Sequence, residues 1–208
     1  MPRWALLSAT AAPIVLLVTA LVADELASAG YNPLQQTISV LAAAGRTEWL
    51  MTAGIAVSAG CLIIVGLGLS MVRKVARVVL IAGGAFGVLV AAFPVTMTTT
   101  LHLSATFASA FLLALWPALA LSRSKSAPWA LKTPVTIAGS LMLFALLGWT
   151  AYETQGGTLL GLAERITVVT ELAWPAVVVA TARFHRSRDR QRGQSMTDVS
   201  SVSAPTLR

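Results

Sequence analysis

Residues 50–71 read LMTAGIAVSAGCLIIVGLGLSM, a stretch without a charged side chain. About 20 consecutive apolar residues are needed for a helix to cross the roughly 30 Å hydrocarbon core of a bilayer. The stretch is continuously apolar and lacks the alternation of apolar and polar residues that a membrane β-barrel strand would show. It therefore predicts a transmembrane α-helix.

The same kind of stretch recurs along most of the chain, with short polar connectors between the runs. The six predicted spans cover residues 4–23, 50–71, 78–97, 101–121, 134–152 and 166–184. The prediction is an all-α, polytopic membrane protein: a bundle of six transmembrane helices in residues 1–184, followed by a tail in residues 185–208.

Composition disfavours most other classes of protein. Of 208 residues, 56% are hydrophobic and 11% are charged, whereas soluble domains carry about 25% charged residues. A soluble domain and a disordered chain are therefore disfavoured. The single cysteine, Cys61, cannot form an intrachain disulfide, and its apolar surroundings indicate a packed side chain. No Walker loop, GxGxxG or HExxH motif occurs, so we expect no cofactor.

The positive charges predict the orientation of the helices. If the N-terminus faces the cytoplasm, thirteen of the fifteen Lys and Arg residues fall in cytoplasmic segments. Only Arg46 and Arg165 remain on the outer side, which is a strong positive-inside bias. We therefore predict a multi-pass protein of the plasma membrane with both termini in the cytoplasm. Because the net charge of +7 gathers at the ends of the spans, we do not expect nucleic acid as a partner.

One alternative concerns the first span. Ala27, Ser28 and Ala29 resemble a signal-peptidase site after an apolar run that opens with Arg3. The run is longer than the roughly 7–15 residues typical of a signal peptide, which favours a retained helix. Cleavage would leave five helices and keep the remaining loops on the same sides.

The longest predicted outer loop, residues 24–49, has a helical pattern of its own. Asn32-Pro33 is typical of a helix start, Gly45 is typical of the position after a helix end, and the apolar residues between them recur at helical spacing. The pattern predicts an amphipathic helix over about residues 33–44. At about 18 Å this helix is too short to cross the membrane and should lie on the outer face.

The tail differs from the rest of the chain in composition. Its first part is rich in arginine, and each charge near an anionic bilayer surface contributes about 1 kcal/mol of attraction. The side chains predicted to contact anionic lipid are Arg183, Arg186, Arg188, Arg190 and Arg192. Beyond Gln194 the Ser- and Thr-rich composition predicts disorder.

Small residues occur at the spacing that allows helices to approach closely. Gly83 and Gly87 form a GxxxG pair in the third span, and Gly54 and Ser58 form a similar small pair in the second. Packing within one bundle is the simpler interpretation. The alternative is that these faces form a homo-oligomer.

Two acidic residues bear on function. Glu171 lies within the sixth span, where an ionisable side chain costs at least about 2.5 kcal/mol on insertion scales. Glu164 lies seven residues earlier on nearly the same helix face, about 10 Å away along the axis. Pro175 has no N–H for the Glu171 carbonyl, so a kink there would create a polar pocket. The alternative, which the sequence favours slightly, is a structural role for Glu171, either as a hydrogen bond to a neighbouring helix or as a protonated buried acid.

His102 opens the fourth span at the predicted outer face. Zinc sites use three or four ligands with His or Cys predominant, and a single histidine with Glu164 and Glu171 falls short of that pattern, so we expect no metal. A capping or interhelical hydrogen bond is the simpler interpretation of this histidine.

Short motifs along the chain are similar to those of a known family. They are residues 31–41 (YNPLQQTISVL), Phe93-Pro94, His102 and residues 161–165 (GLAER). Over roughly residues 5–183 the chain resembles the "domain of unknown function 998" family of prokaryotic membrane proteins. The resemblance implies a six-helix integral membrane fold of unassigned activity.

This chain departs from the family pattern in one loop. Thr96 stands where the family often carries an acid, and residues 98–100 are threonines where the family usually has a glycine before the histidine. The resemblance therefore implies no charge-dependent role for this loop here.

The polar motifs, although far apart in sequence, all belong to the predicted outer face. We predict that they converge on an outward-facing pocket with a glutamate at its floor. Its candidate residues are Gln35, Ser39, His102, Glu164, Arg165 and Glu171. Such a pocket suits a lipid headgroup or a small polar solute.

Three functions fit these features. The first is a non-enzymatic binding or accessory protein in contact with membrane lipids, which fits the lack of a recognisable catalytic set. The second is an intramembrane enzyme acting on lipid, with His102 and Glu164 or Glu171 as acid and base. The third is a small transporter or channel subunit that uses Glu171, although no inverted repeat is visible. The first is the favoured hypothesis, and no catalytic residue is assigned.

Overall fold

The protein is an all-α bundle of six long helices with one short helix between the first two. The structure, a computed structural model, describes residues 2–28, 30–43, 45–94, 96, 99–124 and 126–202, with side chains through residue 188. The helices are α1 (Arg3–Leu26), α2 (Ile38–Leu41), α3 (Glu48–Gly68), α4 (Lys74–Ala92), α5 (Thr99–Leu119), α6 (Thr133–Glu153) and α7 (Leu160–Val202), with a 3-10 helix at Trp129–Leu131.

Each of the six predicted spans corresponds to a long helix, and the multi-pass membrane fold is confirmed. The apolar helices contain 19–29 residues, or about 29–44 Å at 1.5 Å per residue, which is enough to cross a bilayer core. In α7 the apolar part is Leu160–Arg188. Within the described ranges no β-strand occurs, and Ser122 and Lys132 form one isolated bridge.

Several helix ends differ from the predicted ones by a few residues, and two of these differences involve motif residues. α4 ends at Ala92 rather than near residue 97 because Pro94 disfavours a helical conformation at Phe93, whose φ and ψ are −122° and 84°. α7 begins at Leu160, six residues before the predicted span. Glu164 and Arg165 therefore lie within the helix rather than in the loop before it.

The long helices form a closed ring. Each packs against its neighbours in the order α1, α3, α4, α5, α6 and α7, and α7 packs back against α1. Weaker contacts of α7 with α3 and α5 cross the middle of the ring. The centre of the bundle is therefore bordered by several helices at once.

Small residues let the neighbouring helices approach within this ring. A Cβ at Gly54 would lie 2.2 Å from the hydroxyl of Thr19 on α1, and one at Gly84 would lie 2.8 Å from the carbonyl of Ala59 on α3. Gly83 faces Leu113 of α5. The predicted close approach thus occurs inside one chain, and association of two copies stays a prediction.

The connecting segment, residues 27–47, holds a shorter helix than the pattern predicts. Only Ile38–Leu41 is α-helical, and Thr37 before it is extended, with φ −72° and ψ 161°. Asn32 forms a separate turn, because its carbonyl accepts hydrogen bonds from the Gln35 and Gln36 N–H groups. A single helix is interrupted because backbone groups of the segment bond to α7 instead. The predicted end of the helix at Ala44 lies outside the described residues.

The tail begins as a continuation of α7. Arg183, Arg186 and Arg188 lie in this part, and the Arg188 guanidinium stands 5.4 Å from the centre of the Phe184 ring. The described part of the chain does not include the side chains of Arg190 and Arg192 or residues 203–208. Lipid contact by these arginines and disorder beyond Gln194 stay predictions.

Candidate functional site

Arg165, near the N-terminal end of α7, is the main link between the bundle and the connecting segment. One terminal nitrogen, Nη1, donates to the carbonyls of Pro33, Gln36 and Gly161 at 2.8, 2.9 and 3.1 Å. The other, Nη2, donates to Asp24 Oδ1 at 3.0 Å, so that Arg165 and Asp24 form an ion pair. A guanidinium suits this role because its N–H groups form a rigid planar fork.

Tyr31 extends the same network. Arg165 Nη2 donates to the Tyr31 hydroxyl at 2.6 Å, and that hydroxyl lies 3.2 Å from the carbonyls of both Gln36 and Thr37. Burial raises the pKa of the Tyr31 hydroxyl, and the hydrogen bond from Arg165 and its charge partly oppose this rise. The phenol therefore stays protonated and bridges the arginine to the segment.

Glycine at the start of α7 permits this docking. A Cβ at Gly161 would lie 2.3 Å from the Gln36 carbonyl oxygen and 2.4 Å from that of Pro33. Leu162 N–H donates to the Leu34 carbonyl at 3.1 Å. The helix and the segment thus meet backbone to backbone, which a side chain at position 161 would prevent.

Glu164 fixes the short helix α2. Its Oε2 accepts the N–H of Ile38, the first residue of α2. That N–H has no acceptor within α2, so the carboxylate acts as a cap supplied by another helix.

His102 connects α5 to the segment and is 3% exposed. Its Nδ1 lies 2.8 Å from the Phe93 carbonyl oxygen and its Nε2 lies 3.0 Å from Ser39 Oγ. Because a carbonyl only accepts, Nδ1 carries a proton. In the neutral ring Nε2 is then an acceptor, and the Ser39 hydroxyl donates to it.

A cavity of about 100 Å³ lies in the middle of the ring, between α1, α3, α4, α5 and α7, with the start of α2 at one end. Most of its wall is apolar. Its polar lining residues in the described part of the chain are Ser39, Ser58, Thr106, Ser109, Glu164 and Glu171.

Glu171 is the feature of this cavity that the fold does not explain. The residue is 3% exposed, and its Oε1 has no hydrogen-bond partner. A buried carboxyl oxygen without a donor costs free energy that a structural role would not require. α7 continues through Pro175, which has no N–H to offer the Glu171 carbonyl.

The six predicted site residues divide into three groups. Ser39, Glu164 and Glu171 line the cavity, and His102 reaches it through Ser39. Arg165 lies beside it but lines a separate groove between α1 and α7 that also includes Asp24. Gln35 is exposed on the connecting segment and is not part of the cavity wall.

The residues that sequence analysis missed are hydroxyl groups in spans. Thr106 and Ser109 lie three residues apart on one face of α5, which is a spacing that could have indicated a shared polar wall. Ser58 matches the small packing residue that the sequence suggests, since its hydroxyl donates to the Ala12 carbonyl at 2.9 Å. Among the described residues, no three His, Cys, Asp or Glu side chains gather as a metal site would require.

Comparison with known proteins gives one finding. A family model described as "Protein of unknown function (DUF998)" matches residues 10–181, which is most of the chain. No curated protein and no solved structure matches the chain.

Proposed function

We propose that this chain, which belongs to the DUF998 family of proteins of unknown function, is a non-enzymatic binding protein that holds a small ligand in the central cavity of its membrane bundle. The observation that carries the proposal is Glu171 Oε1, a buried acceptor without a partner at the wall of this cavity. A bound ligand would supply the missing donor.

The wall of the cavity supports binding of a molecule with an apolar body. Leu16, Leu62, Leu113 and Leu172 come from four different helices and line it together. Small-molecule sites commonly combine such apolar walls with a few polar groups that fix orientation. Glu171 is suited to be the orienting group here.

Binding is favoured over catalysis because two of the three candidate acid and base groups, His102 and Glu164, are already engaged. Both ring nitrogens of His102 have partners, the Phe93 carbonyl and Ser39. Glu164 accepts the Ile38 N–H. A general base must reach the proton that it abstracts, and neither of these two groups is free to do so. Glu171 has an unpartnered carboxyl oxygen, but neither His102 nor Glu164 is free to act with it.

Binding is also favoured over conduction. Val65, Leu69 and Leu80, toward the α3–α4 connection, are fully buried. Apolar packing at this end of the ring supports a cavity with one entrance rather than a polar path that crosses the membrane. The transporter alternative therefore has less support.

The entrance, in this proposal, faces the outside of the cell and the termini face the cytoplasm. The distribution of Lys and Arg supports this orientation, as does the position of Ser39 and Glu164 at the connecting-segment end of the cavity. The basic start of the tail would then contact anionic lipid of the inner leaflet of the plasma membrane.

Cysteine labelling in intact cells tests the entrance. In a Cys61→Ala background, Thr106→Cys places a thiol on the cavity wall, and Leu103→Cys, on a side chain 57% exposed on the bundle surface, is the matched control. We expect externally added 2-aminoethyl methanethiosulfonate to label the cavity thiol at least about tenfold faster, since a thiol facing lipid does not ionise readily. Equal rates would contradict an outward-facing cavity.

A further inference from the structure

We propose that the ligand of the central cavity is a primary alkylammonium, a short apolar molecule that ends in an –NH₃⁺ group. This inference rests on the proposed binding function and adds the chemical class of the ligand. Its basis is that the four described hydroxyl groups of the cavity wall have only lone pairs left for a ligand, and that the buried Glu171 Oε1 lacks a donor.

Three hydroxyl groups of the wall have already used their single proton. Ser58 donates to the Ala12 carbonyl at 2.9 Å, Thr106 donates to the His102 carbonyl at 2.8 Å, and Ser109 donates to the Gly83 carbonyl at 2.9 Å. A hydroxyl has one donor and two acceptor lone pairs. Each of these groups therefore has only lone pairs left for a ligand.

The fourth hydroxyl follows the same rule. Since His102 Nδ1 donates to the Phe93 carbonyl, Nε2 of the neutral ring accepts the Ser39 proton. Glu164 and Glu171 add carboxyl oxygens. Among the described residues, no Lys, Arg or His lines the cavity.

Hydroxyl lone pairs and an unpartnered carboxyl oxygen favour a ligand that donates. A carboxylate or a phosphate would face these lone pairs and two acidic side chains, whereas an ammonium group brings three N–H donors. A charge-assisted hydrogen bond from one N–H to Glu171 Oε1 would satisfy the buried acceptor. The remaining N–H groups could bond to neighbouring wall oxygens.

The rest of the wall requires an apolar body on this cation. A bare metal ion would bind only to the oxygen atoms of the polar lining residues and leave the predominantly apolar remainder of the cavity unfilled. Phosphatidylethanolamine also carries a primary ammonium, but its adjacent phosphate would face acceptors. These points favour a free amine over a lipid headgroup.

The size of the cavity sets the length of the molecule. At about 100 Å³ it is smaller than the roughly 150 Å³ engineered cavity that holds benzene. The longest alkyl chain that this volume accommodates therefore has about four carbons.

The test measures binding of n-butylamine, n-butanol and n-butyrate at pH 7 to the full-length protein in phosphatidylcholine nanodiscs. The three probes have similar size and differ in the terminal group. The variants are Glu171→Gln and, as a matched control, Glu153→Gln. Glu153 is also a buried acid, but it accepts bonds from Trp149 Nε1 and the Leu159 N–H and does not line the cavity.

We expect n-butylamine to bind at least about tenfold more tightly than n-butanol, with no binding of n-butyrate. Glu171→Gln should weaken n-butylamine binding by about tenfold or more and leave n-butanol within about threefold, while Glu153→Gln should change neither. Weaker binding of n-butylamine in discs that contain phosphatidylethanolamine would support the ammonium chemistry and identify the headgroup as its source.

Two results would overturn the inference in different ways. Equal affinity for n-butylamine and n-butanol would exclude the ammonium class and leave the binding function standing. If none of the three probes binds, both the ligand class and the proposed function are wrong.

Discussion

Two neighbouring parts of α7 differ in whether their ionisable side chains have hydrogen-bond partners. Arg165 donates hydrogen bonds to five acceptors, and Glu164 accepts the Ile38 N–H. About two turns further along, Glu171 Oε1 is buried without any partner. The satisfied pair explains how the connecting segment is held in place. The unsatisfied glutamate has no such structural explanation, and in the proposed function it is the group that a ligand would satisfy.

The largest effect that this comparison predicts is the loss of Arg165. Arg165→Met would leave Asp24 without its ion-pair partner and deprive the Pro33 and Gln36 carbonyls of their donor. We expect the free energy of unfolding in detergent micelles to fall by about 3 kcal/mol. Arg165→Lys should recover only part of this, because an ammonium cannot reproduce the planar fork. A loss below about 0.5 kcal/mol in Arg165→Met would contradict the role assigned to this residue.

A smaller effect is expected where the helix backbone meets the segment. In Gly161→Ala the new methyl group would collide with the carbonyls of Pro33 and Gln36, so the segment must move away. We expect about 2 kcal/mol of destabilisation. Gly148→Ala is the matched control, because a Cβ at that position meets nothing within 4 Å. The control should be neutral or stabilising by up to about 1 kcal/mol, and similar destabilisation in both variants would show that the contact is not specific.

The smallest effect should come from the glutamate in the cavity. Without ligand, Glu171→Gln removes an unpartnered carboxyl and should change the free energy of unfolding by less than about 1 kcal/mol, in either direction. Glu164→Ala, by contrast, should cost about 1–2 kcal/mol because the Ile38 N–H loses its cap. If Glu171→Gln lowers the free energy of unfolding more than Glu164→Ala does, Glu171 is a structural group and the two parts of α7 do not differ as described.

Much of the fold could be predicted from the sequence because hydrophobic length and continuity determine which segments cross a bilayer. The boundaries were harder to predict where polar residues continue a helix, as at Glu164 and Arg165, whose charges suggested a loop although they lie in α7. The helix predicted for residues 33–44 is interrupted for a related reason. Arg165 and Glu164 bind backbone groups of Pro33, Gln36 and Ile38 that a continuous helix would have used itself.

The candidate site was predicted less completely. The sequence indicated that Ser39, Glu164 and Glu171 matter, and all three line one cavity. The sequence could not show that Arg165 lies outside this cavity, because the direction of a long side chain depends on which carbonyl groups lie within its reach in the folded protein. The hydroxyl groups on α5 were missed, since an isolated Thr or Ser in a span usually bonds to its own helix and gives no signal of a shared wall.

The ring of helices also has a consequence for biosynthesis. Arg165 follows Pro33 by 132 residues, so at about 5–20 residues per second the ribosome needs roughly 7–26 s to supply the partner of the connecting segment. During this interval the first helices are already made, and the segment cannot yet form its hydrogen bonds to α7. When α7 is inserted, it closes the ring and also holds the connecting segment, which was synthesised much earlier. Synthesis of α7 is therefore required before the connecting segment can be attached, and a product that stops before α7 would leave the segment without these hydrogen bonds.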